Sequence, residues 1–137
     1  MQQYGMGLQS YKEQAVATMT QGEMLILLYD EIIKRLRKGK ILMENGDFEA
    51  AESDLKRARE IVAHLEANLD RKYEISAELR RLYRFFDYQI ARVVAGRKLE
   101  VIDEVIPLVE DMREAFKQAD VLNRQKNPAG QPPPPGA

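Results

Sequence analysis

Few residues in this 137-residue chain could do metal or thiol chemistry. There is one histidine, His64, which follows Glu60 by four residues, and there is no cysteine. A carboxylate di-iron bundle needs a Glu-x-x-His pair from each of two helices, which one histidine does not supply. The lack of cysteine excludes disulfides, thiolate metal sites and cysteine nucleophiles. We therefore expect no metal site and no cofactor.

A serine nucleophile would have to pair with the same histidine. The candidates are Ser10, Ser53 and Ser76, and none has the flanking glycines of a nucleophile elbow. Neither a G-x-G-x-x-G nor a G-x-x-x-x-G-K-[ST] phosphate loop occurs. The sequence therefore predicts that the chain is not an enzyme, with His64 at the surface or at the edge of a helix seam.

The composition is typical of one globular domain with balanced charge. It is 45% hydrophobic and 31% charged, and 21 basic residues against 22 acidic ones give a net charge of -1. This balance predicts no overall attraction to nucleic acid or anionic lipid. The longest uncharged apolar run, Met24 to Tyr29, is too short to cross a bilayer, and the N-terminus has no signal-peptide pattern. We expect no membrane insertion and a cytoplasmic location.

Proline and glycine divide the chain into helices and a tail. Five of the six prolines lie in the final stretch NPAGQPPPPGA. We expect a bundle domain with a mobile N-terminal segment at 1–124 and a disordered, proline-rich tail at 125–137. Four helices are predicted, namely Thr20 (as a T-x-x-E cap with Glu23) to Glu44 or Asn45, Asp47 (as a cap) to about Leu69, Glu74 to Ala95 with Gly96 just beyond the helix, and Leu99 to Leu122.

Each predicted helix carries apolar residues at three-four spacing. Short connections make neighbours antiparallel, so the sequence predicts an all-α, up-down-up-down four-helix bundle. Pro107 predicts a bend in the fourth helix near 103–107. The predicted core positions are Leu25, Leu28, Ile32, Leu36 and Met43; Ala51, Leu55, Ala58, Val62, Leu65 and Leu69; Ile75, Leu79, Leu82, Phe86, Ile90 and Val93; and Ile102, Val105, Val109, Met112, Phe116 and Ala119.

Two helices carry more apolar surface than one buried face uses. Ile26 and Ile33 fall to one side of the core line of the first helix, and Tyr29 bridges the two faces. On the third helix, Phe85 and Tyr88 point largely away from the core. The first set has two explanations, of which the simpler is that the helix touches two neighbours and the other is that this edge binds a partner. Aromatic residues off the core face are typical of partner surfaces or shield the edges of the seam.

A cluster of basic residues in the first helix has two interpretations. Lys34, Arg35, Arg37, Lys38 and Lys40 fall within seven residues and could contact phosphates. The second helix is acidic, however, and attraction between adjacent helices of opposite charge explains the cluster more simply.

Several segments, in this order and spacing, resemble the FliS family of flagellin export chaperones from about Leu8 to Ala119. They are LQSYKEQ, TQGEMLILLYDEIIKRL, ENGDFEAAESDLKRAREIVAHLEANLD, ISAELRRLYRFFDYQIARV and EVIPLVEDMREAFKQA. The most specific are LLYD at Leu27 to Asp30, NGD at Asn45 to Asp47, the I-x-x-x-L-x-x-x-L-D segment ending at Asp70, and L-x-x-L-Y at Leu79 to Tyr83. Gly22 and Phe116 stand where the family often has Pro and Trp.

The resemblance implies a chaperone of the bacterial cytosol. Such a protein binds the disordered C-terminal segment of flagellin, prevents premature polymerisation and delivers it to the flagellar type III export apparatus. It implies that Leu8 and Tyr11 cap the binding groove and dock to the cytoplasmic domain of the export gate, although they could simply pin a loose terminus. A co-chaperone is a possible further partner, and the chain is expected to be a monomer or weak homodimer. The expected partner-binding residues are Leu8, Tyr11, Ile26, Tyr29, Ile33, Phe85 and Tyr88.

Two other functions fit the residues. One is a helical adaptor or dimerising bundle for another client protein. The other is a regulatory or RNA-associated bundle that uses the basic cluster of the first helix, for which binding would depend steeply on salt.

Overall fold

The computed structural model describes residues 20–126 as four α-helices. Segments 1–19 and 127–137, which hold the predicted mobile segment and nearly all of the predicted tail, lie outside the described residues. The helices are α1 (Gln21–Glu44), α2 (Phe48–Ala67), α3 (Ile75–Gly96) and α4 (Leu99–Lys126). Each packs against its neighbour in sequence and α1 also packs against α4, which closes a ring of four antiparallel helices. The predicted all-α, up-down-up-down bundle is confirmed.

The helix starts follow the predicted capping residues. The Thr20 hydroxyl accepts a hydrogen bond from the backbone N–H of Glu23 at 3.1 Å, and the Asp47 carboxylate accepts one from Ala50 at 3.4 Å. These side chains satisfy N–H groups that have no partner within the helix. Helix α1 ends at Glu44 as predicted, whereas α2 ends two residues early at Ala67 and α4 continues four residues beyond the predicted Leu122 to Lys126.

The end of α3 differs from the prediction by one residue. Gly96 stays helical, and Arg97 takes the left-handed conformation, with φ 51° and ψ 43°. This conformation is costly for a residue with a Cβ. The Arg97 guanidinium carbon lies 4.1 Å from the centre of the Phe48 ring, a cation–π contact that helps to offset the cost.

The core uses nearly all of the predicted positions. The exception is Ile75, which is 60% exposed because it is the first residue of α3, at the end of the bundle. The prediction missed several buried residues, among them Tyr83, Val101 and Ile106. In the middle of the core the Tyr29 hydroxyl donates to the Tyr83 hydroxyl at 2.9 Å, and the Tyr29 ring contacts Phe116 with centroids 5.5 Å apart.

A buried glycine sets how closely α1 and α2 pack. Gly39 lies buried in the middle of α1, where a Cβ would meet the Leu55 side chain at 2.9 Å, so glycine lets α1 and α2 approach closely. Helix α4 runs uninterrupted through Pro107, and the predicted bend stays a prediction. Across residues 20–126, no helix has the length and apolar character needed to span a membrane.

Candidate interaction surface

Ion pairs bridge three of the four helix seams. Between α1 and α4, Lys40 pairs with Asp103 at 2.6 Å. The same seam has three further ion pairs: Arg37–Glu110, Arg113–Asp30 and Arg124–Glu23. Arg35–Asp54 bridges α1 and α2, and Arg59–Asp87 and Arg84–Glu66 bridge α2 and α3. Between 75–96 and 99–126 no ion pair spans the seam, and this pair of helices is also the least extensively packed. The α3–α4 seam is therefore the most weakly held seam of the described bundle.

The outward face of α3 beside that seam carries a stripe of four residues, Arg81, Phe85, Tyr88 and Arg92, here called the α3 stripe. Their spacing of four, three and four residues places them along one helix face. Phe85 is 41% exposed and Tyr88 62% exposed, as predicted for aromatic residues that point away from the core. The Arg92 guanidinium carbon lies 5.9 Å from the centre of the Tyr88 ring, and Arg92 donates to the Gln89 side chain at 2.9 Å. The stripe thus combines apolar area with positive charge.

The expected second apolar edge on α1 is not a free surface at Tyr29 and Ile33. Tyr29 is 0% exposed and Ile33 is 8% exposed, while Ile26 is half-buried. Ile26 and Ile33 share the edge of α1 that carries Arg37 and Lys40, whose ion pairs lead to α4. This edge packs against a second neighbour, which is the simpler of the two explanations given above.

The remaining site predictions, Leu8 and Tyr11, lie outside the described residues. Within residues 20–126, the sequence analysis also missed several exposed apolar side chains. Leu108 of α4 is 41% exposed and sits at about the same distance from the α3–α4 turn as Tyr88. A hollow of about 400 Å³ between α1 and α4 is lined in part by Ile41, Ile106 and Pro107. The helical wheel that singled out Phe85 would have found Leu108, whereas the hollow depends on how two helices pack.

The basic cluster of α1 is largely neutralised within the bundle. Arg35 and Lys38 face Asp54 at 2.8 and 3.8 Å, and Lys40 faces Asp103. The hydrogen bond to Asp103 raises the pKa of Lys40, and those to Asp54 and Glu31 raise the pKa of Arg35. Because these cations already have acidic partners, the contacts favour helix–helix attraction as the explanation of the cluster.

The histidine and serine residues considered for catalysis do not lie together within the described residues. His64 is exposed, and its ring nitrogens lie 3.3 and 3.4 Å from the Asn68 amide nitrogen. Ser76 is buried and donates to the backbone carbonyl of Asp70, while Ser53 is exposed and Ser10 lies outside the described residues. Within residues 20–126, no group of three or more His, Asp or Glu side chains could hold a metal ion.

Comparison with known proteins gives consistent matches. The family model described as "Flagellar protein FliS" matches residues 4–123. A flagellar secretion chaperone FliS of Bacillus subtilis strain 168 is 30% identical over 110 residues, covering 80% of this chain and 83% of the relative. One of Salmonella typhimurium strain LT2 is 30% identical over 112 residues, covering 77% and 81%. A crystal structure of a bacterial flagellar chaperone superposes with a TM-score of 0.70 at 20% identity, covering 83% of this chain and 94% of that one, a likeness of fold.

Proposed function

Because the chain belongs to the FliS family of flagellar proteins, we propose that it is a secretion chaperone whose client is flagellin. It holds the disordered C-terminal segment of flagellin in the bacterial cytosol and prevents premature polymerisation. It then delivers this client to the flagellar type III export apparatus. The match to the FliS family and its secretion chaperones supports the general role, and the exposed aromatic residues of α3 support protein binding.

The observation that carries client binding is the exposure of Phe85 and Tyr88 beside the least extensively packed seam of the described bundle. A helix without a partner gains little from two large aromatic side chains on its outer face, where charged residues are the usual choice. Aromatic residues are enriched in the cores of protein interfaces, where they bury large areas at small cost in side-chain entropy. A client segment that packs along α3 and against Leu108 covers this apolar area.

Binding of this kind explains both protection and release. A flagellin segment that polymerises must have an apolar face, and covering that face blocks the contact between flagellin subunits. Ordering a disordered segment consumes part of the interaction free energy, which leaves the complex specific yet dissociable at the export gate. Within this proposal, Leu8 and Tyr11 contact the cytoplasmic domain of the export gate, and their displacement from the bundle accompanies delivery.

Isothermal titration calorimetry with the C-terminal segment of flagellin from the same organism tests the proposal. Phe85 has 41% of its surface exposed, or about 80 Å² of the roughly 200 Å² of an aromatic side chain. At about 25 cal/mol per Å², covering it contributes about 2 kcal/mol, and Tyr88, with 62% exposed, about 3 kcal/mol. We therefore expect Phe85→Ala and Tyr88→Ala each to raise Kd at least tenfold, with a negative heat-capacity change for the wild type.

Ile41→Ala provides a matched control, because Ile41 is 57% exposed but lies on the α1–α4 side of the bundle. It should bind flagellin as the wild type does. Wild-type binding that neither aromatic substitution weakens would place the client on another surface. If the wild type fails to bind, even after deletion of residues 1–14, flagellin is not the client and the chain serves another protein.

A further inference from the structure

The α3 stripe carries positive charge that burial of its aromatic residues does not explain. Its two aromatic side chains lie between Arg81 and Arg92, which stand eleven residues apart on the same helix face. At 1.5 Å per residue, their Cα atoms are about 16 Å apart along α3. The stripe therefore carries one arginine at each end of an apolar patch, and the helix fixes the separation of their Cα atoms.

Neither arginine is neutralised by the bundle. Seven of the twelve arginines of residues 20–126 form ion pairs, and Arg81 and Arg92 are among the five that have no acidic partner within this range. The one acidic residue between them, Asp87, lies towards α2 and is bound by Arg59 at 2.8 Å. A partner that covers the aromatic rings would bring its own groups close to both cations.

The geometry holds Arg92 ready for such a partner. Its contact with the Tyr88 ring and its hydrogen bond to Gln89 lay the guanidinium along the helix surface instead of leaving it free in solvent. A restrained guanidinium loses less conformational entropy when it forms a charged hydrogen bond, and it presents several N–H donors to a carboxylate. Exclusion of water by the neighbouring apolar contact strengthens that interaction.

We propose that the α3 stripe recognises an amphipathic helical segment in which two acidic residues, about eleven positions apart, flank an apolar patch. The spacing follows from the stripe itself, because a helix that lies along α3 has the same rise per residue. The apolar patch supplies most of the affinity, and the two acidic residues set the register and exclude segments with basic flanks. The identity of this segment as flagellin rests on the proposed function, whereas its charge pattern rests on the stripe alone.

Two synthetic amphipathic peptides with the same apolar residues test the charge pattern directly. One carries Glu at both flanking positions and the other carries Lys, and binding is measured by fluorescence anisotropy at low and high salt. Two partly exposed charge pairs, attractive in one peptide and repulsive in the other, should make the Glu peptide bind about tenfold more tightly at low salt. The preference should shrink at high salt.

Variants of the stripe identify the groups responsible. Arg81→Gln with Arg92→Gln should reduce the preference to within about twofold, and Arg81→Glu with Arg92→Glu should reverse it. Lys34→Gln with Lys56→Gln is the matched control, because it removes the same charge from exposed residues of α1 and α2 that form no ion pair within residues 20–126. Equal binding of the two peptides by the wild type would overturn the inference. An unchanged preference in the Arg→Gln variant, or an equal loss in the Lys control, would also overturn it.

Titration of the same proteins with the flagellin segment separates the two proposals. If flagellin binds the wild type but the peptides are not distinguished, the inference is wrong and the chaperone function stands. If the peptides are distinguished but flagellin does not bind, the stripe recognises acidic helices of another client and the proposed function is wrong.

Discussion

The hydrogen bond between Tyr29 and Tyr83 predicts strong coupling between two core residues. Tyr29→Phe removes the donor and leaves the Tyr83 hydroxyl without this partner in the core, and Tyr83→Phe removes the acceptor. Each hydroxyl is enclosed, since both side chains are at most 1% exposed. Leaving a buried polar group unpaired costs about 1–3 kcal/mol, so each single substitution should lower the free energy of unfolding by that amount.

The double variant should lose much less than the sum of the two single variants. Replacing both hydroxyls removes both buried polar groups while keeping the ring shapes, which is close to neutral in free energy. Urea denaturation of the wild type, both single variants and the double variant gives the coupling directly. Additive effects, within about 0.5 kcal/mol, would refute the view that the two hydroxyls serve mainly each other.

The same pair predicts a loss of stability in alkali. Burial raises the pKa of both Tyr29 and Tyr83, so the native state keeps protons that the unfolded chain loses above its ordinary pKa of about 10. Their contribution is complete below about pH 10 and is lost as pH rises, by about 1.4 kcal/mol per pH unit for each tyrosine. The double Phe variant should show a shallower fall, whereas Tyr88→Phe, which alters an exposed hydroxyl, is the control. Equal slopes for the wild type and the double variant would contradict this reasoning.

Two further substitutions test the α1–α2 seam by thermal denaturation. Gly39→Ala gains about 1 kcal/mol of helix propensity, but the new Cβ would meet the buried Leu55 side chain at 2.9 Å. Because overpacking costs about 1–3 kcal/mol, we expect Tm to fall. A raised Tm would show that Leu55 can move aside. Asp54→Ala removes the acidic partner of Arg35 and Lys38. The free energy of unfolding should fall by only about 1–2 kcal/mol, because both cations can turn towards water. An unchanged Tm would mean that the buried carboxylate makes no net contribution to stability.

The fold was predictable because local signals agree with the packing. Thr20 and Asp47 cap helices as their residue types predict, and three-four spacing located most of the core. Arg97 was not predictable as the left-handed residue, because its compensating contact comes from Phe48, which is distant in sequence. The burial of Tyr29 and Tyr83 was also hard to predict. A tyrosine hydroxyl usually lies at the edge of a helix seam, but here the two hydroxyls bond to each other inside the core.

The candidate surface was predictable in part. Phe85 and Tyr88 could be placed outside the core by angle alone, and they are exposed. Which neighbouring arginines stay without an acidic partner could not be predicted, because ion pairing depends on which helices are adjacent and on their relative position along the bundle axis. Arg81 and Arg92 look no different in the sequence from Arg59 or Arg84, which the bundle pairs with acidic residues.

The ion pair between Glu23 and Arg124 brings the first turn of α1 beside the last turns of α4. The two ends of the described chain are therefore neighbours in space, and in connectivity the bundle is nearly a closed loop. A short link from Lys126 to Thr20 would allow the chain to be opened elsewhere, at the Arg97–Lys98 turn, and still form the same four seams. In such a circular permutant, the most weakly packed seam would be the one without a covalent connection. The natural order of the helices along the chain therefore places a covalent connection at the seam that packing holds least.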